Sequence, residues 1–534
     1  MFDFTEQNKR WVTPFLIFIV TIGVVLRLWH IAQNNFFIYD EGLYLNYNMP
    51  LLRFIHGHAF TGWKDLGEAF YTLIRFALRS GKALWFVIVD SRAFWGWLYV
   101  WWYSRVISMF AGIFTLVVVY IFAKRFYHSK GMALLSVAIL AVYPSHVFYS
   151  RLGFQEALCT FFFVTGLYFY FFPRTFGVRT VISAMLFVCV FFTNYRLIIA
   201  PVFVGFTEIY MSIALKEPPQ LRKYLWHTLI FLFFVVVVGN MEEGINTLVT
   251  FGWMFYQANL AHDKFDWFNL LSYPYYLFRL DSVMAGLLFF TNIYFLWRRE
   301  WLKGFPFLFV FLMMLIFALP FEKGARYLCI GLPFVAMALA AIVVNLRERC
   351  RNRQWSLAWG IMIFLLFVGL VHKSIVLATS RSDYESSMKF LLRLDPQVKV
   401  LSTQHWVQNL FVPDENQLRR VSKDFRVLIT SYAEGFRYLM IDPQAYISYT
   451  DTGKRFEPPL INYMAFMTKH IRPVKSFSHF NKVILERFVF EHNENLRQSI
   501  KFLAQDDRSL GTLRIYDISH CLETIARVSL SSEK

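Results

Sequence analysis

Eight ionisable side chains, Asp40, Glu41, Arg105, Arg151, Glu156, Arg196, Lys323 and Arg326, stand at or beside the ends of long apolar runs. Charges inside or at the rim of a membrane span are expensive and are usually kept for function or for a partner. Several arginines and carboxylates brought to one depth by different helices imply a shared site. Arginine is a planar, permanently charged, multi-donor partner for phosphate, able to hold a phosphate or pyrophosphate leaving group at the interface. A carboxylate beside it can take the proton of an acceptor hydroxyl. Asp40 and Glu41, just past the end of the first apolar run, are placed for that role.

Each of these residues also has a plainer reading. An Asp-Glu pair in a loop is commonly solvated surface, and Arg326 sits one turn after Glu322, which would pair with it. Glu156 is harder to dismiss, because residues 157–170 after it carry no charge and its carboxylate needs a partner. Arg151 is the nearest one in sequence. Arg27 reads as a snorkelling anchor. Two or three of the carboxylates could hold Mg2+ or Mn2+, while the basic surroundings can neutralise a phosphate without a metal. No Walker loop, dinucleotide glycine fingerprint or paired-cysteine metal site is present in the sequence.

The elements that must position these groups are membrane spans. Of 534 residues, 57% are hydrophobic and 17% charged, values that do not suit a soluble globule. A helix crosses the hydrocarbon with about 20 mainly apolar residues. Runs of that kind fall at 12–31, 97–123, 131–149, 154–172, 178–193, 197–215, 225–240, 282–297, 304–320, 327–346 and 356–378. The sequence therefore predicts an α-helical polytopic membrane protein with about eleven transmembrane helices. The 61 phenylalanines, with 16 Trp and 28 Tyr, suit lipid-facing surfaces and interfacial belts.

The net charge of +18 sits mostly in short connectors, around Lys124, Arg179, Lys216, Arg298 and Arg349. Threading the chain with a cytoplasmic N-terminus puts all of these connectors inside, which is positive-inside topology and not a groove for nucleic acid. The 33–95 loop and everything after 379 then lie outside the cytoplasmic (inner) membrane, and the eight site residues share the outer headgroup level. Residues 43–55 and 66–78 have the apolar spacing of interfacial helices. The first apolar run lacks a small-residue cleavage site, so it reads as a retained helix. The five cysteines imply no disulfide framework.

Residues 380–534 are different material. Charge becomes frequent, and short runs at 398–402, 426–431, 438–442 and 514–518 look like strands, with a helix at 384–394. The division expected is a membrane domain over 1–379 and a small extracytoplasmic α/β domain over 380–534.

At the charged helix ends the chain resembles the C-type (GT-C) glycosyltransferase superfamily, especially bacterial relatives of the protein O-mannosyltransferases and the lipid A aminoarabinose transferases. The similar stretches are Leu26-Arg-Leu-Trp29 followed by Tyr39-Asp-Glu-Gly-Leu-Tyr44, the segment from Arg105 through Gly112 to Arg125, and Tyr143-Pro-Ser-His-Val-Phe-Tyr-Ser-Arg-Leu-Gly-Phe-Gln-Glu156. Thr193-Asn-Tyr-Arg196 and Gly324-Ala-Arg-Tyr-Leu-Cys-Ile-Gly-Leu-Pro333 continue the pattern, which spans roughly residues 20–345. The resemblance implies that Asp40 is the catalytic base, that Glu156 supports the site, and that Arg196 and Arg326 bind the lipid phosphate. It further implies a polyprenyl-phosphate sugar as donor and inversion at the anomeric carbon. The chain departs from the pattern at Ser80-Gly-Lys-Ala-Leu-Trp85, where many relatives carry a His-Pro-Pro-Leu-like segment, so acceptor recognition does not carry over.

The expected function is transfer of a hexosyl or pentosyl group from a polyprenyl-phosphate donor to a hydroxyl of a protein, lipid A or another glycan in the cell envelope. Glu41 joins Asp40 and Glu156 as a catalytic-site carboxylate; Arg105, Arg151 and Lys323 join Arg196 and Arg326 around the phosphate. Two rivals come from other classes. A flippase of lipid-linked sugars would show inverted repeats and helices broken at mid-membrane, and no clear pair of such segments stands out. A scaffold or sensor working through its tail leaves Glu156 and the outer arginines without a purpose.

Overall fold

The computed structural model describes residues 9–31, 103–238 apart from 173–174, 267–319, 323–349, 353–442 apart from 413 and 422–425, and 467–532 apart from 468–469, 479–480, 492–494 and 505–510. Asp40, Glu41, Glu322 and the expected interfacial helices at 43–55 and 66–78 lie outside the described residues. The described residues form two compact units, one from 9–31 with 103–378 and the other from 379–532.

The first unit is helical among its described residues. Its longer elements are α1 (Lys9–Leu28), α2 (Tyr103–Phe126), α3 (Lys130–Ala141), α4 (Pro144–Tyr149), α5 (Glu156–Phe171), α6 (Val178–Thr193), α7 (Ala200–Leu215), α8 (Leu221–Val238), α9 (Val283–Thr291), α10 (Ile293–Trp297), α11 (Trp301–Ala318), α12 (Leu332–Arg349) and α13 (Arg353–Thr379). Among the described residues, six helical stretches are long and apolar enough to cross a membrane: Trp11–Leu28, Arg105–Phe126, Arg196–Leu215, Trp301–Ala318, Ala325–Arg349 and the stretch beginning at Gln354. Four apolar helical stretches among the described residues are shorter: Lys130–Ala141, Glu156–Phe171, Val178–Phe191 and Val283–Trp297. The chain is a membrane protein.

The run at 131–149 is not one continuous helix. Pro144 has no N–H to continue the ladder, and Tyr143 before it is extended (φ −74°, ψ 119°), so α3 stops and the short α4 begins. Helix α12, which packs against α3, is buried nearly all round, as its small residues Ala336, Ala338, Ala340 and Ala341 permit. Around it the phenylalanines pack inward more than an interfacial belt would suggest. Phe122, Phe305, Phe309 and Phe334 are fully buried, with ring centroids 5.3 Å apart for Phe305–Phe309, 4.8 Å for Phe309–Phe334 and 5.9 Å for Phe122–Phe334. Each such pair adds about 0.5–1.5 kcal/mol beyond its area, and together they lock α2, α11 and α12. The lipid-compatible face is carried by α1, α7, α8 and α13, where Phe15, Phe18, Ile209, Ile213, Phe233, Ile361 and Phe364 are exposed.

The second unit is a mixed α/β sheet. Its strands β1 (Lys399–Ser402), β2 (Leu418–Arg420), β3 (Phe436–Ile441), β4 (Lys475–Ser478) and β5 (Thr512–Asp517) lie in the order β2-β1-β3-β5-β4. Pairs β1/β2 and β1/β3 are parallel, whereas β3/β5 and β4/β5 are antiparallel. Helices α14 (Tyr384–Leu394), α15 (Arg426–Ala433), α16 (Lys482–Glu491), α17 (Leu496–Ala504) and α18 (Ile518–Ser532) complete it. One expected strand is a helix instead. Over α15 the inward residues are Leu428 and Ser431, three apart, and the chain leaves the helix through Gly435 at φ +95° before entering β3. Packing of that face against the core that includes Ile518 and Cys521 outweighs the β-propensity of Val427, Ile429 and Thr430.

Candidate anion-binding site

The corner between α4 and α5 is held by Arg151. Its Nη1 donates to the carbonyls of Leu26 (2.7 Å) and Arg27 (3.1 Å), and its Nη2 to those of Trp29 (2.6 Å) and Ala378 (2.8 Å). One guanidinium thus meets carbonyls at the ends of both α1 and α13, where helical hydrogen bonding runs out. Arg105, 2% exposed on α2, lies within electrostatic reach of it. Helix α2 approaches the corner closely because residue 112 is glycine; a Cβ there would collide with the Ser150 side chain. Ser108 adds a hydrogen bond from its Oγ to the Phe154 carbonyl (2.9 Å).

Arg27 does not snorkel. It is fully buried and donates from Nη1 to the carbonyls of Gly23 (2.8 Å) and Ala141 (3.0 Å), while Nη2 lies 2.6 Å from Nδ1 of His146. A guanidinium only donates, so Nδ1 of that imidazole accepts and the ring proton sits on Nε2. Arg27 therefore ties α1 to the end of α3 and to α4.

A second grouping forms where a 3-10 turn, Ala325–Gly331, leads into α12. Arg326 and Glu156 are both buried, with Arg326 Nε 3.8 Å from Glu156 Oε1, an ion pair beyond hydrogen-bond distance. Among the described residues a cation that faces Glu156 is thus Arg326, from a distant part of the chain, while its neighbour Arg151 turns to backbone carbonyls. Glu156 opens α5, where the positive end of the helix also favours its charge. The Arg326 guanidinium carbon lies 5.7 Å from the Phe154 ring centre and 5.4 Å from that of Tyr327.

Arg196 reaches the same aromatic ring, its guanidinium carbon 4.1 Å from the Tyr327 centre. It is carried by the turn Tyr195–Ile199 between α6 and α7, which Asn194 launches by accepting the Arg196 N–H on its side chain (3.2 Å). Lys323 is 3% exposed, and its carbonyl accepts the Tyr276 hydroxyl at 2.8 Å.

Of the residues singled out from sequence, Arg196 and Arg326 come together around Tyr327 and Glu156 faces Arg326, with Lys323 three residues before it. Arg105 and Arg151 adjoin each other at the neighbouring corner. Three residues of these surroundings were not anticipated: Tyr273, Tyr276 and Asp281, buried in the stretch before α9. Asp281 accepts both the backbone N–H (2.9 Å) and the hydroxyl (2.5 Å) of Ser145. The signal was present, since residues 282–297 carry no charge and Asp281 needs a partner as Glu156 does.

Among the described residues, two cationic side chains share one aromatic ring and one carboxylate faces the deeper of them, an arrangement that could receive an anion. Among the described residues no three His, Cys, Asp or Glu side chains converge in a way that could hold a metal ion.

Comparison of the chain with solved structures decides the fold. The oligosaccharyltransferase of Archaeoglobus fulgidus superposes with a TM-score of 0.54 at 11% identity, over 85% of this chain and 73% of that one. ArnT from Cupriavidus metallidurans, in its complex with undecaprenyl phosphate, superposes with a TM-score of 0.51 at 12% identity, over 88% of this chain and 96% of that one. This is the GT-C glycosyltransferase fold. The archaeal enzyme AglB has also been solved with an inhibitory peptide and a dolichol-phosphate, and it matches with a TM-score of 0.51 at 12% identity, over 83% of this chain and 70% of that one. No family model and no curated relative matches the sequence. At these identities the GT-C likeness concerns the path of the chain, and the chemistry rests on the side chains described above.

Proposed function

We propose that the protein transfers a sugar from a polyprenyl-phosphate donor to an acceptor hydroxyl at the outer face of the cell membrane. The observation that carries this reading is the placing of Arg196 and Arg326 around one ring, Tyr327, with Glu156 facing Arg326. The solved GT-C structures with undecaprenyl phosphate and dolichol-phosphate support a lipid-phosphate carrier as the ligand class.

In this mechanism the acceptor oxygen attacks the anomeric carbon while the bond from that carbon to the phosphate oxygen breaks. Asp40 takes the acceptor proton and Glu41 orients basic partners. The donor is a phosphodiester with one negative charge, and the departing polyprenyl phosphate gains a second. Arg196 and Arg326, with Lys323, therefore stabilise the transition state more than the ground state. Glu156 tempers the charge of Arg326 so that the product can leave. Arg105 and Arg151 shape the corner and add to its positive field. The N-terminus is cytoplasmic in this reading and the second unit extracytoplasmic.

Asp40→Asn in full-length protein reconstituted in nanodiscs tests the assignment. Transfer from a radiolabelled undecaprenyl-phosphate sugar should fall by about 10² or more with donor binding near wild type, the usual scale for losing a general base. Full transfer by a folded variant removes Asp40 from the mechanism. Reporter fusions after residues 216 and 349 should read cytoplasmic and one after 400 exterior; a cytoplasmic reading at 400 overturns the topology.

A further inference from the structure

The stretch Ser272–Asp281 carries no group assigned to the reaction, yet it touches both halves of the site. It consists of a short helical turn, Ser272–Tyr276, followed by a wide π-type turn, Leu277–Asp281, closed by the Ser282 N–H on the Leu277 carbonyl at 3.1 Å. Turns of this width recur near functional sites. Tyr273, Tyr276 and Asp281 are each no more than 2% exposed.

Its polar groups reach in two directions. Towards the arginine-bearing turn, the Tyr276 hydroxyl donates to the Lys323 carbonyl at 2.8 Å and the Tyr273 hydroxyl to the Gly324 carbonyl at 3.4 Å. These are the residues that lead directly into Ala325–Gly331 and so set where Arg326 and Tyr327 begin. Towards the corner, Asp281 takes two hydrogen bonds from Ser145, the second residue of α4, whose far end runs through Arg151 to Glu156. A backbone carbonyl buried in a bundle needs a donor, but nothing in that need requires one ten-residue stretch to supply both anchorages.

We propose that Ser272–Asp281 is the positioning element of the anion site, with Tyr276 setting Arg326 and Asp281 setting the corner that delivers Glu156. The proposal rests on the phosphate-binding reading given above. The Arg326–Glu156 separation of 3.8 Å is long for an ion pair, so a shift of either backbone by a fraction of an ångström changes how much of the guanidinium charge is offset. Placement errors of about 1 Å at such sites are enough to depress transfer strongly.

The test uses full-length protein in nanodiscs, with undecaprenyl phosphate as the binding probe, transfer kinetics, melting and hydrogen exchange on the same samples. Tyr276→Phe deletes one hydroxyl; it should melt near wild type, speed exchange in 323–331, and weaken binding or lower kcat by about 3- to 10-fold, the worth of one hydrogen bond. In an Arg326→Lys background the same change should matter less than about 2-fold, because both act on one contact. Asp281→Asn keeps an oxygen for the two Ser145 donors and should behave close to wild type, whereas Asp281→Leu should speed exchange in 144–156. A Tyr276→Phe protein with unaltered exchange at 323–331 overturns the proposal whether or not the chain transfers sugar. Losses that multiply fully with Arg326→Lys also overturn it. Altered exchange and weakened binding in a protein that shows no transfer would uphold the positioning role and sink the transferase reading.

Discussion

Arg151 and Arg326 are the same residue type, stand at neighbouring corners of one unit and are both buried, yet their guanidiniums do different work. At the α4–α5 corner four carbonyls surround Arg151, so it stitches helix ends together. At the turn before α12 the Arg326 guanidinium has the faces of Phe154 and Tyr327 near it and a carboxylate beyond hydrogen-bond reach. Aromatic faces stabilise a cation without consuming its N–H donors. Four carbonyls fix Arg151 between helix ends, whereas Arg326 is set against two rings and a carboxylate that opens α5.

The largest expected effects separate the two. Arg151→Lys leaves one ammonium in place of a fork that meets four carbonyls, and hydrogen bonds from charged groups contribute about 1.5–3 kcal/mol each. Loss of two or more should show as a large drop in melting temperature and folded yield, with donor affinity per folded molecule changed far less. Arg326→Lys should do the reverse: melting near wild type, transfer reduced by roughly 10- to 100-fold, and kcat affected beyond any change in apparent donor affinity. Parallel loss of melting and transfer in both variants would erase the distinction.

That distinction was only half visible in the sequence. Apolar runs fixed most helices to within a few residues, because burying or facing lipid demands long uncharged stretches whatever the partner. The same logic drew out Glu156 and the outer arginines. Which cation meets Glu156 was not readable, since the neighbour Arg151 is taken up by Leu26, Arg27, Trp29 and Ala378, contacts that exist only once α1, α4 and α13 are assembled. Pro144 marked the break after α3 plainly, yet an uninterrupted hydropathic run masked it. In the second unit, strands β1, β3 and β5 followed from their short apolar runs. Residues 426–431 misled because their β-branched side chains favour a strand locally, while the inward spacing of Leu428 and Ser431 is set by the core they meet.

A smaller effect concerns Arg196, which shares Tyr327 with Arg326 but is half-buried. Arg196→Lys should reduce transfer several-fold, less than Arg326→Lys, and the double variant should fall short of the product of the two losses if both hold one phosphate. A fully multiplicative result would assign them to separate tasks. Glu322→Gln gives the complementary control. If Arg326 answered chiefly to Glu322 one turn earlier, that variant would match Arg326→Lys; with Glu156 as its partner, transfer should change little.

The smallest effect is the one whose sign is most telling. Glu156 faces Arg326 at 3.8 Å in a buried setting, so its charge offsets part of the attraction that the guanidinium offers an anion. At an effective dielectric of about 20, two unit charges at that distance interact by about 4 kcal/mol before screening and reorganisation, and the net change on removing one is a fraction of this. Glu156→Gln keeps the shape and deletes the charge. Undecaprenyl phosphate should then bind about 2- to 5-fold more tightly, by the same reasoning, while kcat falls because the dianionic product is held longer. Stability should drop modestly, since the buried Arg326 loses its counter-charge. At Arg151 no such gain is expected from any neighbouring change, because carbonyl dipoles cannot be deleted by substitution. Weaker phosphate binding in a well-folded Glu156→Gln protein would mean that the carboxylate orients Arg326 more than it offsets it. The contrast between Arg151 and Arg326 would then narrow to the aromatic faces alone.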